Sequence, residues 1–181
     1  MPLPKEQFYT AEDYWNTPEG ERMELIEGHF YAQVAPSRAH QDVLSFLHAA
    51  VYNYIQTNGG SCRVYPAPFA VQLSDADTTI VEPDISVICN PDKLNDKGCK
   101  GAPDWIIEIV SPSSKRMDYY TKLALYRAAG VREYWIVDPL KKVVIVYNME
   151  HDDGPVFYPL SEKVKAHIYD NLEIDFSQLR L

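Results

Sequence analysis

Two acidic residues, Asp84 and Glu108, stand in stretches that the sequence predicts to be buried strands. Glu108 interrupts an apolar run of Trp, Ile and Val between Pro103 and Pro112, a content typical of a central strand covered on both faces. Asp84 directly precedes the mostly apolar stretch Ile85-Ser86-Val87-Ile88. Because an unpaired carboxylate in such a place costs several kcal/mol of desolvation, each must meet a cation, a metal ion or a proton.

A lysine near two such carboxylates would complete a divalent-metal hydrolytic site, in which hard oxygens hold the ion and the lysine orients or deprotonates the attacking water. Strand alternation puts Glu108 and Val110 on one face, so Val110 stands where a Glu-x-Lys nuclease strand carries its lysine. The lysine must therefore come from another element, and Lys122 on the next predicted helix is the candidate. Two plainer alternatives are a structural ion pair at Glu108 and an exposed pair between Lys122 and Asp118.

Asp104 also follows a proline, but it lies too far from Glu108 to share a metal ion with it. Both residues are on the same predicted strand, four positions apart, which corresponds to about 13 Å at the rise of a strand. We therefore predict that Asp104 takes no part in the site.

The composition is that of one globular domain spanning residues 1–181. With 181 residues and 46% hydrophobic content the chain can build one core, and no break in composition marks a second domain. The formal net charge of −9 argues against dense nonspecific coating of DNA, whose backbone attracts basic surfaces. Local basic contacts are available at Lys93, Lys97, Lys100, Lys115 and Arg116, although such runs are more often solvated loops.

The cysteines and the hydropathy pattern indicate a cytoplasmic protein. Cys62, Cys89 and Cys99 lack CxxC spacing and histidine partners at zinc-finger intervals, so neither a disulfide framework nor a structural zinc site is expected. No basic-then-apolar leader opens the sequence, and no apolar run approaches the roughly 20 residues of a membrane span. We expect a reducing cytoplasm and no membrane partner.

The helix between two apolar strands makes a strand-helix-strand crossover, so the predicted fold class is α/β. Periodicity and breakers predict these elements in chain order: a short helix capped by Thr10, a hairpin over residues 22–34 turning near Gly28, a helix over 38–57 capped by Ser37, a bent strand over 62–73, a turn at Asp75-Ala76-Asp77, a mobile polar loop over 90–101, a helix over 115–129, strands over 133–139 and 143–147, a hairpin turning at Asp152-Asp153-Gly154, and a terminal segment over 172–176.

Several blocks of this sequence are specific when they are taken together and in order. They are Glu24-Leu25-Ile26-Glu27-Gly28, Pro36-Ser37 with His40, Glu82-Pro83-Asp84-Ile85-Ser86-Val87, the stretch from Pro103 through Glu108 to Ser113, Asp118 with Lys122 and Tyr126, and the stretch from Gly130 to Pro139. In this order the blocks resemble the PD-(D/E)xK nuclease superfamily, and within it the large bacterial family of uncharacterised proteins described as putative restriction endonucleases.

The resemblance implies a restriction endonuclease-like fold, with a mixed central β-sheet flanked by helices and with additional N-terminal and C-terminal β-hairpins. It implies that Asp84 and Glu108 bind Mg²⁺ or Mn²⁺. It also implies that the lysine has moved from the strand to the following helix, where Lys122 fits the place. If Lys122 faces the carboxylates, its replacement by Met is expected to leave stability nearly unchanged or improved.

The same resemblance implies accessory residues and partners. Glu24 is the expected accessory acid, and His40 or Gln41 is expected to line the same pocket. DNA is the implied substrate, and a homodimer is expected because cutting both strands usually needs two sites.

Two other functions remain open at this point. One is a catalytically silent binding or regulatory module that keeps the nuclease fold, which the acidic net charge favours. The other is a metal-dependent hydrolase that acts on a small molecule in the same pocket. Cleavage of DNA with Mg²⁺ or Mn²⁺ would separate a nuclease from both.

Overall fold

The structure, a computed structural model, describes residues 7–73, 76–112, 114–151 and 153–181. Within these ranges the helices are α1 Ala11–Trp15, α2 Arg38–Asn58 and α3 Lys122–Ala129, and a π-helical turn Met117–Thr121 leads into α3. The strands are β1 Met23–Ile26, β2 His29–Ala32, β3 Arg63–Pro66, β4 Val71–Gln72, β5 Ile80–Val81, β6 Ile85–Ile88, β7 Leu94–Asn95, β8 Gly98–Lys100, β9 Trp105–Ile109, β10 Glu133–Asp138, β11 Val143–Asn148, β12 Val156–Pro159, β13 Lys163–Lys165 and β14 Glu173–Asp175.

The central sheet is mixed and has the strand order β12-β11-β10-β9-β6-β3. Strand β9 pairs in parallel with β10 and antiparallel with β6. The chain passes from β9 through the π-helical turn and α3 to β10, so the predicted strand-helix-strand crossover is confirmed. All five residues of β9 are buried, as expected for a strand covered on both faces.

The two faces of β9 serve two different cores, because alternate side chains point in opposite directions. Trp105 and Ile107 pack in the core that includes the apolar face of α2, and the ring of Trp105 meets that of Trp135 edge to face at 4.8 Å. Ile106 packs in the second core, together with Tyr126 of α3. Glu108 is two positions after Ile106 and therefore points to the same face of the strand, so its carboxylate lies on the α3 side of the sheet.

A second sheet, of order β2-β1-β5-β4-β8-β7, carries the N-terminal hairpin. The hairpin β1–β2 turns at Glu27 and Gly28, whose φ angles are 49° and 81°. Two features of the turn favour glycine at position 28. The φ angle is positive, and a Cβ atom would lie 2.7 Å from Phe8 Cδ1. Pairing of β1 with β5, through Leu25 and Ile80, brings Glu24 towards the start of β6.

The predicted caps of the first two helices are confirmed. Thr10 and Asp13 form a capping box at the start of α1. At the start of α2, Ser37 accepts a hydrogen bond on its side chain from the His40 N–H at 3.2 Å. Helix α2 ends one residue later than predicted and is followed by Gly59, whose φ is 70°.

Four predicted elements differ in the structure. The polar loop 90–101 contains a 3₁₀ turn and the hairpin β7–β8, because β8 joins the edge of β4 in parallel. Gly98 permits this close approach, since a Cβ there would collide with the Ala70 carbonyl oxygen. The bent strand 62–73 divides into β3 and β4, which belong to different sheets. The predicted helix 115–129 contains a π-helical turn at Met117–Thr121, after its first two residues, and the terminal segment pairs with a strand β13 that the sequence did not predict.

Three of the predicted positions fall outside the described residues. They are Asp75 of the first turn, Asp152 of the last hairpin turn and Ser113 in the block that follows Glu108. Strand β12 pairs antiparallel with β11, so the last predicted hairpin is present on both sides of its turn.

The prediction that the cysteines form no disulfide framework was wrong for two of the three. Cys62 and Cys89 are joined by a disulfide, whereas Cys99 is free and buried. The bonded pair lies one position beyond the Arg63–Ile88 pair of β3 and β6. The two cysteines are 27 residues apart in sequence, and only the pairing register of β3 and β6 brings them together, so their spacing alone could not predict the bond.

No helix in the described part of the chain is both long enough and apolar enough to cross a membrane.

Asp104 has a structural role, and its removal should cost stability. Its Oδ2 atom accepts a hydrogen bond from the Cys89 N–H at 2.7 Å, and its Oδ1 atom accepts one from Arg132 Nη1 at 3.2 Å. Asp104→Ala should lower the free energy of unfolding by about 1–3 kcal/mol, because both donors lose their acceptor. Asp104→Asn should cost less, since its amide oxygen still accepts from Cys89. Urea denaturation measures both, and an unchanged midpoint for Asp104→Ala would contradict this role.

Candidate active site

Lys122 is the centre of a buried group of charges. Its Nζ atom lies 2.9 Å from Glu24 Oε1, 2.9 Å from Glu108 Oε1 and 4.0 Å from Asp118 Oδ1. The lysine side chain is only 6% exposed, and the three acids are buried as well. The alternative of an exposed Asp118–Lys122 pair is therefore wrong, because its two members lie in the interior and Lys122 has closer partners.

The Glu108 carboxylate is held from two sides. On the helix side, Tyr126 OH donates to Oε1 at 2.6 Å, one turn after Lys122 on α3. On the sheet side, the Asp84 N–H donates to Oε2 at 3.3 Å. Lys122 and Tyr126 reach the same oxygen because positions four apart share one face of a helix.

Asp84 lies at the end of the neighbouring strand. Residue Ile85 of β6 is opposite Ile107 of β9, which places Asp84 beside the end of β9. Its Oδ2 atom accepts a hydrogen bond from the Ile109 N–H at 2.7 Å and lies 3.2 Å from His40 Nε2. The structure thus brings Asp84 and Glu108 together on adjacent strands, as the sequence predicted.

The predicted accessory residues reach the same place from two other elements. Glu24 arrives on β1, and its Oε1 atom accepts from both Lys122 Nζ and the Glu82 N–H, the latter at 2.8 Å. His40 and Gln41 arrive on the first turn of α2. All of them line one cavity of about 520 Å³, between the β1–β2 hairpin, the start of α2 and the π-helical turn.

Burial controls the protonation of this group. Desolvation raises the pKa of Glu108 to about 8, against the attraction of Lys122 and with the repulsion of Asp118, Asp84 and Glu24. Desolvation also raises the pKa of Asp118 to about 6. For Lys122 the surrounding carboxylates outweigh burial, so its pKa lies well above the ordinary value. Without a metal ion the lysine therefore stays charged, and Glu108 keeps a proton to a higher pH than an exposed carboxyl group does.

The oxygens that remain without partners suit a hard cation. No hydrogen bond from a described residue reaches Asp84 Oδ1 or Glu24 Oε2, and Glu108 Oε2 accepts only the long bond from Asp84. No three His, Cys, Asp or Glu side chains of the described residues are grouped so as to hold a metal ion. Mg²⁺ commonly uses one or two carboxylates and completes its shell with water and phosphate, so a two-carboxylate site is compatible with its chemistry.

The sequence missed some residues of the site, or did not give them a role. Arg22 and Glu82 both line the cavity, and Asp118 was considered only as a surface pair. Strand alternation could have predicted the first two, because residues two positions apart point to the same face of an extended chain. Arg22 precedes Glu24 by two positions, and Glu82 precedes Asp84 by two.

Comparisons with known proteins match most of the chain to one family and to one solved fold. A family model described as "Uma2: Putative restriction endonuclease" matches residues 6–172. An uncharacterised protein of Synechocystis sp. is 26% identical over 156 residues, which is 84% of this chain and 78% of that protein. The crystal structure of "a putative nuclease belonging to DUF820" from Anabaena variabilis superposes with a TM-score of 0.77 at 20% identity, covering 94% of this chain and 96% of that one. The predicted nuclease-type α/β fold is thereby confirmed.

The raised pKa of Glu108 makes stability depend on pH. Its value of about 8 in the folded protein exceeds the ordinary 4.5, so between these two values only the folded chain holds this proton. In EDTA, the free energy of unfolding should therefore rise by about 2 kcal/mol as the pH falls from about 8.5 to about 6.5. Chemical denaturation across this range measures the slope.

The matched variant is Glu108→Gln, which keeps an oxygen for Tyr126 and removes the titrating group. Desolvation lowers the pKa of His40, but the hydrogen bond and negative charge of Asp84 together outweigh it, so the pKa is raised and both proteins gain a slope of the same sign. The steeper slope of the wild type relative to Glu108→Gln is the part assigned to Glu108. Equal slopes in the two proteins would show that Glu108 is ionised throughout.

Proposed function

The chain belongs to the family described as putative restriction endonucleases, and from this premise we propose that it is a metal-dependent endonuclease that hydrolyses phosphodiester bonds of DNA. One observation carries the proposal. Lys122, although it comes from a helix, is buried against Glu108 at 2.9 Å, and Asp84 lies at the end of the adjacent strand. Two carboxylates and a lysine thus converge in one cavity, a combination that can support metal-assisted hydrolysis at a phosphate.

Asp84 and Glu108 would hold Mg²⁺ or Mn²⁺ through carboxylate oxygens that bind no described donor or only a weak one. When bound, such an ion polarises the phosphate and lowers the pKa of a coordinated water. Two contacts hold the Asp84 carboxylate in place. The backbone N–H of Ile109 lies 2.7 Å from Oδ2, and His40 Nε2 lies 3.2 Å from the same oxygen. Both contacts fall on Oδ2, which leaves Oδ1 for the ion.

Lys122 would act as a charged group and not as a base. Its pKa is raised by Glu108 and Glu24, so its ammonium keeps its protons throughout the neutral range. A protonated Nζ can orient a water molecule and stabilise the negative charge that develops on the phosphate. Glu24 serves this function indirectly, because its Oε1 atom holds the ammonium in place at 2.9 Å.

Contacts with DNA would have to be local, because the net charge is −9. Of the basic residues considered from sequence, Lys93 donates to the Ala102 carbonyl oxygen and Lys97 lies over the Trp15 ring, so both are engaged elsewhere. Lys115 and Arg116 directly precede Met117, which lines the cavity. We propose these two as contacts to the DNA backbone.

A second candidate is a silent module that keeps the fold without cleavage. It is favoured by the ion pairs themselves, because Lys122 already neutralises part of the charge of Glu24 and Glu108 without any metal ion. Calorimetry separates the two candidates. Divalent-ion binding with cleavage supports the nuclease, whereas the absence of both near neutral pH supports the silent module.

Neutralising either proposed metal ligand should abolish metal binding and cleavage together. With the wild type, Mg²⁺ or Mn²⁺ should raise the melting temperature and support nicking of a supercoiled plasmid, because the ion binds only the folded site. Asp84→Asn and Glu108→Gln should lose both effects. Asp104→Asn is the matched control, since it removes a carboxylate from the same strand region at a position away from the cavity. Retention of nicking by Asp84→Asn would contradict the assignment.

Lys122→Met should lower both the free energy of unfolding and the rate of DNA cleavage. The buried position reverses the expectation from sequence, because removing the ammonium leaves Glu24 and Glu108 buried without their shared cation. We expect a loss of about 3 kcal/mol at alkaline pH. The loss should shrink at acid pH, where the carboxylates take up protons. Lys115→Met is the control for removal of a lysine. Urea denaturation at two pH values and a nicking assay measure the effects, and a variant as stable as the wild type at alkaline pH would contradict them.

We further propose that the active species is a homodimer. Strand β12 lies at the edge of the central sheet and exposes Val156 at 46% and Phe157 at 61%. An exposed apolar edge strand favours pairing with a second copy. Light scattering should report twice the chain mass of 20.7 kDa, and Phe157→Lys should shift it to the monomer. A monomer across working concentrations of the wild type would exclude this assembly.

A further inference from the structure

Arg22 lies at the edge of the acidic cavity with part of its guanidinium uncommitted. The side chain is 37% exposed and lines the cavity beside Glu24. Its Nη2 and Nε atoms donate to Glu82 Oε2 at 2.9 and 3.3 Å, whereas Nη1 donates to no described side chain. One edge of the guanidinium is therefore fixed by a carboxylate, and donors remain for another acceptor.

The other cation of the cavity is less accessible. Among the described residues that line the cavity, the only lysine or arginine besides Arg22 is Lys122. Lys122 is 6% exposed, and its ammonium is occupied by Glu24 and Glu108. An anion that enters the cavity would therefore meet the guanidinium of Arg22 before the ammonium of Lys122.

Glu82, which holds Arg22, is itself held by its neighbours. Tyr14 OH donates to Glu82 Oε1 at 2.9 Å, and the Glu82 backbone N–H donates to Glu24 Oε1 at 2.8 Å. Burial and the negative charge of Glu82 raise the pKa of Tyr14, so its hydroxyl stays a donor. Both Glu82 oxygens thus have donors, and the arginine loses less conformational freedom when it binds a ligand.

We propose that Arg22 binds a backbone phosphate of the nucleic acid, next to the phosphate that is cleaved, and that Glu82 and Tyr14 are positioning residues for it. This inference rests on the proposed function, because it takes DNA as the substrate. A guanidinium suits the task, since its planar fork of donors matches the oxygens of a phosphate group and its charge is permanent. The plainer alternative is that Arg22 only stabilises Glu82.

The test measures binding without cleavage. A fluorescein-labelled duplex of about 20 base pairs is titrated with protein in EDTA, and fluorescence anisotropy gives the affinity at several salt concentrations. Arg22→Gln should weaken binding about fivefold to tenfold and lower the slope of log K against log salt by about one, because one phosphate contact is lost. Arg38→Gln is the matched control. It removes the same charge from an exposed arginine paired with Asp42 outside the cavity, and it should change the affinity less than twofold.

Glu82→Gln separates phosphate binding from a purely structural role. Both Arg22→Gln and Glu82→Gln break the same ion pair, yet only the first removes the cation. We expect Glu82→Gln to weaken binding less than Arg22→Gln does and to keep the salt slope, because the cation remains and only the carboxylate that positions it is lost. Arg22→Lys keeps the charge without the fork of donors, and should keep the salt slope while losing affinity. Circular dichroism checks the folding of each variant, and Arg22→Lys and Glu82→Gln carry the test if Arg22→Gln does not fold.

Three results would overturn the inference: a wild type that does not bind the duplex, equal effects of Arg22→Gln and Arg38→Gln, or a Glu82→Gln variant as weak as Arg22→Gln. Its failure is distinguishable from failure of the nuclease proposal, because binding in EDTA does not require catalysis. If the predicted pattern appears but the wild type does not nick DNA with Mg²⁺ or Mn²⁺, the phosphate contact stands and the activity is refuted. If the wild type nicks DNA and Arg22→Gln behaves as the control does, only the role of Arg22 is refuted.

Discussion

One buried ammonium group decides what the rest of this site can do. At 2.9 Å, each carboxylate contact of Lys122 is worth roughly 6 kcal/mol of attraction at an effective dielectric constant of about 20, before desolvation is counted. Desolvation of each ion costs several kcal/mol, so the pairs gain little net stability. Their importance lies in position. The ammonium allows Glu24 and Glu108 to occupy one interior, where without a cation they would repel each other or take up protons.

The fold supplies each member of this group from a different element. Glu108 is the penultimate residue of the central strand β9, and Asp84 directly precedes its antiparallel neighbour β6. Glu24 arrives on the hairpin of the second sheet, and Lys122 begins α3 directly after the π-helical turn. Such turns are frequent at functional sites, because they change the phase of a helix face locally. Charges held on strands and on a helix keep their geometry better than charges held on loops.

The sequence predicted the parts of the site that follow from local periodicity. Alternation around Glu108 correctly placed its carboxylate on one face of a buried strand, and Lys122 lies beside it, where the resemblance to nucleases placed the lysine. Contacts that depend on register between distant strands were not predicted. The disulfide between Cys62 and Cys89, the pairing of β8 with β4 and the acceptor role of Asp104 belong to this class. The burial of Asp118 was also not predicted, because helical spacing alone does not show which face of a helix the core covers.

The most direct test of the account is the position of a bound ion in a crystal soaked with Mn²⁺ at alkaline pH, located by its anomalous scattering. The account predicts one strong peak in contact with carboxylate oxygens of both Asp84 and Glu108, with Lys122 still paired to Glu24. Alkaline pH matters because Glu108, whose pKa is about 8 without metal, must lose its proton to bind the ion. A fully soaked crystal with no peak at these carboxylates, or with a peak bound only elsewhere, would contradict the central claim.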